Sequence, residues 1–452
     1  MDLANNMNYQ RIFTYIGVAA IILLLVGLLG WYFFIQKATQ SVQGADQARG
    51  FSIGIPSFLG GQGSNAANTN TGGSSGASLA TQQETGSKGT QSALLKFLGI
   101  GAQPPLQGAR VPTSPQMAPA QEPLQKRAPR LFHANLSPVA GAAFVGSGSS
   151  TRLRYVERAT GNVFDVSPES GDIVRITNTL IPKVYAASMG SGGIVVERTL
   201  EDGAPTALVG KIGTSTDGLA ALNTKNLGSN VREIASIPTS NNIVTLTRTN
   251  AGTRLVRSAW NGASPHDIAS TAAGDFRILW PSDNRIFLVE KAGSGVLGSA
   301  FNVEGGTLTA LIRNIPGLTV LPHPSSDALL YGTDDGTSLS LFARPAGASA
   351  IELPIHTTAD KCVWGAGTTA YCAVPDTKTG SVFLDRWYRG EVHTEDTWYT
   401  VDTGAADATK LFTLSTSDAV DVESPTIDAG GKYLAFLNAR DKSLWIFRIS
   451  DQ

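Results

Sequence analysis

The chain has 452 residues, a net charge of -1 and only 16% charged residues, with 49 glycines and two cysteines. The length suffices for two or three average domains or for one large repeat domain. The near-zero charge leaves no basic field to attract nucleic acid or an anionic surface, so nucleic acid is excluded as a partner.

Residues 1–11 form a short N-terminal tail, and no charge occurs from Ile12 to Ile35. At 1.5 Å rise per residue that run is long enough for the roughly 30 Å hydrocarbon core. Trp31-Tyr32-Phe33-Phe34 would place aromatics at one interface. A cleaved signal peptide would have a shorter apolar core followed by small residues, whereas bulky aromatics stand here. Residues 12–36 are therefore expected to be an uncleaved transmembrane helix. Lys37 and Arg49 on one flank nearly balance Arg11 and the amino terminus on the other. A short tail before a large domain favours a signal-anchor, with the C-terminal domain extracytoplasmic and the lipid bilayer contacted only by this segment. The expected location is the plasma (inner) membrane, single-pass.

Residues 37–130 read as a flexible linker. Asn65–Gly76 is NAANTNTGGSSG, and prolines recur at 104, 105, 112, 115, 119, 123 and 129. Such composition buries too little apolar area to offset the entropy of ordering. As a coil it would span roughly 50 to 60 Å. Ser92–Ile100 is an apolar island within it, read as a transient helix or a short docking segment.

From residue 131 to 452 the apolar pattern has period 2 or comes in short continuous runs bounded by turn residues, which means strands. A turn followed by a short apolar strand recurs seven times, at Ala142–Val145, Ile194–Val196, Ile243–Leu246, Ile286–Val289, Leu329–Tyr331, Ala370–Val374 and Leu434–Leu437. A period of roughly 40 to 50 residues with several strands per repeat specifies a seven-bladed all-β propeller. The last repeat ends one strand short of a four-stranded blade. An unpaired edge there would be a liability, and Leu131–Ala134 is the segment expected to close the ring. The sixth repeat carries an apparent insertion from Asp376 to Asp418. Ser381–Arg389 and Asp396–Val401 within it read as two strands bearing Trp387, Tyr388, Arg389, Trp398 and Tyr399. These five form a candidate interaction surface, for protein or for sugar, against the alternative that the rings pack between blades.

Cys362 and Cys372 flank a Gly-Ala-Gly turn, so a hairpin would set them opposite each other, close enough for a disulfide. The alternative is two free thiols packed as small hydrophobes. Their spacing suits neither CxxC redox chemistry nor a zinc site.

No catalytic constellation assembles from the sequence. Gly72–Gly76 matches GxSxG but lies in the low-complexity linker. Gly293–Gly298 matches GxGxxG but is followed by a strand, so it reads as a glycine hairpin. Asp327 with Asp334-Asp335-Gly336 lacks calcium-loop spacing. His393, Glu395 and Asp396 read as a solvated turn, not a metal site. The expectation is no cofactor and no metal, with a non-enzymatic role preferred over an enzymatic one.

Ser424–Phe436, SPTIDAGGKYLAF, resembles the WD40-like repeat of TolB-type β-propellers, the PD40 repeat. Ile315–Tyr331 and Trp280–Phe287 are looser copies, while the repeat around Gly190–Val196 lacks the Ser-Pro. The resemblance covers residues 131–452 and implies protein-interaction scaffolding in the cell envelope, as TolB serves beside peptidoglycan-associated lipoprotein. The leading expectation is thus a membrane-anchored extracytoplasmic propeller binding an envelope protein. An envelope glycan-binding module stands second. A hydrolase or lyase sited in the channel stands third, to be marked by several acids and one base at the channel mouth.

Overall fold

The computed structural model describes residues 127–450, apart from 202, 216, 217, 229, 273, 274, 292 and 413–418. The tail, the expected transmembrane helix at 12–36 and nearly all of the 37–130 linker lie outside the described residues. Among the described residues, no helix is long and apolar enough to cross a membrane.

The strands form seven four-stranded antiparallel sheets, the blades of a seven-bladed propeller. In blade 1 the order outward from the axis is Val139–Val145, Arg152–Glu157, Val163–Val166 and Ile173–Arg175. Blades 2 to 6 repeat this pattern in chain order, beginning at Val184, Val231, Phe276, Thr319 and Cys362. Blade 7 takes Val422–Ile427, Tyr433–Asn438 and Leu444–Arg448 from the C-terminal end, and its fourth strand is Leu131–Asn135. Leu131 faces Phe447, Phe132 faces Ile446 and His133 faces Trp445 in that pairing. The expected closing segment therefore does close the ring.

The core is periodic. Seven clusters of buried apolar residues each bridge two neighbouring blades. Val156 and Val163 of blade 1 meet Val195 of blade 2, for example, and Val289 of blade 4 meets Val320 of blade 5. Because each second strand is buried on both faces, Val195 packs toward blade 1 while Val196 packs toward blade 3. That is why these strands read as continuous apolar runs rather than alternating ones.

Two sequence expectations need adjustment. Six of the seven recurring segments are second strands of their blades, but Ala142–Val145 belongs to the innermost strand of blade 1, one strand earlier. The equivalent second strand, Arg152–Glu157, carries two arginines and a glutamate and so lacks the apolar signature. The insertion in blade 6 is also smaller than expected. Residues 396–402 and 407–412 are that blade's ordinary third and fourth strands, leaving only 376–395 as an addition.

Blades 1 and 2 approach so closely that a Cβ at Gly141 would collide with the Ala187 carbonyl. Gly141→Ala is expected to cost about 1–3 kcal/mol through overpacking, read as a lowered midpoint in thermal unfolding.

The same interface buries Glu197, only 1% exposed, with neither carboxylate oxygen hydrogen-bonded. Burial pushes its carboxyl up to about 8. The folded chain thus holds a proton that the unfolded chain releases above its ordinary value of 4.5. Stability falls as pH rises between those two values. Glu197→Gln removes that dependence, so its melting temperature relative to wild type should rise progressively from pH 5 to pH 8. A pH-independent difference would refute the assignment.

Candidate functional site

A cavity of about 580 Å³ is lined by residues from blades 1, 2, 4, 6 and 7. Blades on opposite sides of the ring can share one cavity only at the axis. The innermost strands of blades 1, 2 and 7 are irregular where they meet it. Pairing shifts between Val139 and Gly141, between Val184 and Ala186, and between Glu423 and Thr426. Bulges of this kind bend a strand and re-aim its side chains. Ser424, inside the third bulge and on the cavity wall, has φ 50°, a left-handed conformation unusual for a residue with a side chain.

Across the cavity lies a short helix, α1 (Phe383–Tyr388). The sequence reading made Ser381–Arg389 a strand. In the structure both edges of Thr369–Pro375 are already paired, one with Cys362–Trp364 and the other with Asp396–Asp402. No ladder is left for a further strand there. The same residues satisfy helical spacing, with Phe383, Leu384 and Trp387 packed together against Leu339 of blade 5. The aromatic hairpin is therefore not formed.

The helix is held by three carboxylates. Asp334 of blade 5 accepts the Leu384 amide (3.1 Å), the Gly336 amide (2.8 Å) and the Ser294 hydroxyl (2.5 Å). Asp360 accepts the Tyr388 hydroxyl at 2.5 Å. Asp421 accepts the Trp387 indole N–H, at 2.9 and 3.0 Å from its two oxygens.

Asp421 also belongs to a buried polar node. Lys361 Nζ donates to Asp421 Oδ1 (2.5 Å), Asp396 Oδ2 (2.6 Å), Thr394 Oγ1 (3.0 Å) and the Val422 carbonyl (3.1 Å). It lies 4.7 Å from the centre of the Trp387 ring. The side chains of Lys361, Asp396 and Asp421 are all 0% exposed. His393 Nδ1 reaches Asp421 Oδ2 at 3.1 Å. Burial pushes the Asp396 carboxyl up, with Lys361 opposing it. Burial acts the same way on Asp421, but the His393 hydrogen bond, the Lys361 ammonium and the Trp387 indole outweigh it and hold that carboxyl below its usual range. Within His393–Asp396, His393 and Glu395 are exposed as the solvated turn expected from sequence, whereas Thr394 and Asp396 are buried in this node. Among the described residues no group of three or more His, Cys, Asp or Glu is arranged to hold a metal ion.

Charges on the cavity wall come in two groups. On one side Arg277 of blade 4 donates to Asp360 at 2.8 Å and remains 37% exposed. Its guanidinium is held above the ordinary value, first by Asp360. Burial, with Asp360 adding to it, pushes the Tyr388 hydroxyl well up, so the ring stays neutral and donating. On the other side Lys442 pairs with Glu423, and Arg158 donates to the carbonyls of Val184 (3.4 Å) and Tyr185 (3.1 Å). Arg158 Nη1 is buried with no partner. The wall therefore carries three permanent cations against two carboxylates, and each carboxylate is already held by a cation. Several acids around a single base, the pattern expected of a channel-sited hydrolase or lyase, are not what lines it. Ala140, Ala142, Ala186, Ala187, Leu437 and Ala439 supply the apolar remainder.

The five aromatic and arginine residues singled out from sequence do not form one exposed patch. Trp398 is fully buried between blades 6 and 7, against Phe436. Tyr399 packs partly buried between blades 5 and 6. Trp387 and Tyr388 reach the cavity, while Arg389 is exposed and pairs with Glu391 at 2.6 Å. Cys362 and Cys372 face each other in the ladder and are joined by a disulfide, S–S 2.12 Å. Sequence reading missed Arg277, Asp360, Lys361 and Asp421, which come from three separate stretches of the chain. The one local signal was Asp360-Lys361 immediately before the first cysteine, a charged pair leading into a buried strand.

Asp334→Ala is expected to loosen α1 without opening the ring. Amide hydrogen exchange should accelerate at 383–388 while the second strands keep their protection, with a global loss of about 1–3 kcal/mol.

No family model and no curated protein matches the chain. Its fold is similar to that of virginiamycin B lyase from Staphylococcus aureus, at 15% identity and TM-score 0.46, covering 71% of this chain and 99% of that one. It is likewise similar to YCF48 bound to D1 peptide, at 10% identity and TM-score 0.46, covering 71% and 96%. Oligogalacturonate lyase from Vibrio parahaemolyticus is a third, at 12% and 0.45, covering 71% and 94%. At such identities the likeness concerns the fold alone. The chain is a seven-bladed β-propeller of four-stranded blades.

Proposed function

We propose that this protein is a membrane-anchored, extracytoplasmic binding propeller that holds an envelope protein through the cavity at its axis. The observation that carries the reading is the cavity wall. Three cations, a neutral Tyr388 hydroxyl and a patch of small apolar side chains face one concave space, and both carboxylates there are neutralised. Such a surface suits a protruding acidic segment of a partner, because concave sites with a few convergent polar groups favour inserted ligands. Charge complementarity would steer the encounter. The apolar run at 12–36 and the Gly/Ser/Pro-rich segment at 37–130 supply an anchor and a reach suited to presenting the domain away from a bilayer.

The test uses the full chain reconstituted in nanodiscs as bait for solubilised envelope proteins of the source cell. A protein retained by wild type and reduced about tenfold or more by Arg277→Gln with Tyr388→Phe is the expected result, as for central interface residues. Thermal unfolding would establish that the double variant is folded. Retention that ignores the double variant, or no retention beyond an unrelated propeller, would overturn the proposal.

A further inference from the structure

The buried node contains one lysine and two aspartates with no access to water. One ammonium cannot neutralise two carboxylates, and burying unbalanced charge is costly. The two oxygens of Asp396 are also unequal. Oδ2 accepts the Val422 amide at 2.7 Å as well as Lys361 Nζ, whereas Oδ1 is buried with no hydrogen-bond partner. An amine, a carboxyl and a second carboxylate are thus held within hydrogen-bond reach under the Trp387 ring. That is the arrangement in which proximity replaces most of the entropic barrier to reaction.

We propose that Lys361 and Asp396 condense within the folded chain to form an amide between Nζ and Cγ. In the step, Lys361 gives one proton through Asp421 to Oδ1 of Asp396, and the neutral amine attacks Cγ of the carboxyl so formed. Oδ2 carries the developing negative charge, stabilised by the Val422 amide, and becomes the amide carbonyl oxygen. The attacking nitrogen gives its second proton to Asp421, which passes it to Oδ1, and Oδ1 departs as water. One C–N bond forms, one C–O bond breaks, one water leaves, and no oxidant, reductant or co-reactant is needed. The ammonium and one carboxylate disappear together. Asp421 remains as a single carboxylate, retaining donors from Trp387, Thr394 and His393. Burial also favours the protonated form of Asp396, the form that can be attacked. The amide would tie the entry of blade 6 to its third strand, beside the disulfide that ties its first two strands.

The intact mass of the purified, reduced full chain decides the matter. The expected mass is lower than that of the sequence by one water. Tryptic digestion should then fail after Lys361 and yield a branched peptide joining it to Asp396. Asp421→Asn, which keeps a similar shape but cannot take the proton, should remain folded and give the full sequence mass. A folded wild type with the full mass and separate Lys361 and Asp396 peptides would overturn the proposal, and that measurement needs no variant to fold. Linkage as complete in Asp421→Asn as in wild type would overturn the role of Asp421.

Discussion

The structure depends on a seam. A propeller is a ring made from a linear chain, and here one antiparallel pairing, Leu131–Asn135 against Leu444–Arg448, joins its ends. Every inter-blade core is compressed only because the ring is closed. The seam is reinforced where it begins. Arg130 donates to the carbonyls of Arg448 (3.1 Å) and Ile449 (2.9 Å), and its guanidinium lies 5.2 Å from the centres of both the Phe412 and Phe447 rings. One side chain therefore ties the first strand to blade 7 and to the outer strand of blade 6.

Closure creates an axis, and the axis creates the site. Blades 1, 2 and 7 supply walls through bulged inner strands and small side chains, and blade 4 adds Arg277. Blade 6 supplies what is peculiar to this chain. Its extra segment folds into α1, clamped by carboxylates from three places along the chain, and brings Trp387 and Tyr388 over the cavity. Two of those carboxylates have cationic partners, Arg277 for Asp360 and Lys361 for Asp421, so the wall of the cavity and the interior of the blade are electrically continuous.

The fold was legible in the sequence because blades repeat the same physical problem. Each second strand is sandwiched, so Ile243–Leu246 or Leu434–Leu437 announces itself as an apolar run. The missing last strand announced the closing one. Blade 1 escaped the pattern because Arg152–Glu157 interleaves charges with its apolar residues, Arg154 being paired with Asp165 on the neighbouring strand. The site was nearly illegible for the opposite reason. Arg277, Asp360, Glu423 and Lys442 come together only through ring closure, and nothing in their local sequence records it. The helix was misread because Phe383, Leu384 and Trp387 fit either period over so short a stretch. What decided it was the occupancy of the neighbouring ladder, a fact of tertiary structure.

The chain preceding residue 127 enters the propeller directly at the closing strand. Tension transmitted along that chain first meets Glu169 of blade 1, whose carbonyl accepts the Ala128 amide at 2.8 Å and whose carboxylate pairs with Arg127. It is next resisted by the Arg130 contacts and then by the ladder of Leu131–Asn135. The same few hydrogen bonds that make the ring a ring are thus also among the first to bear a load applied through the chain that precedes it.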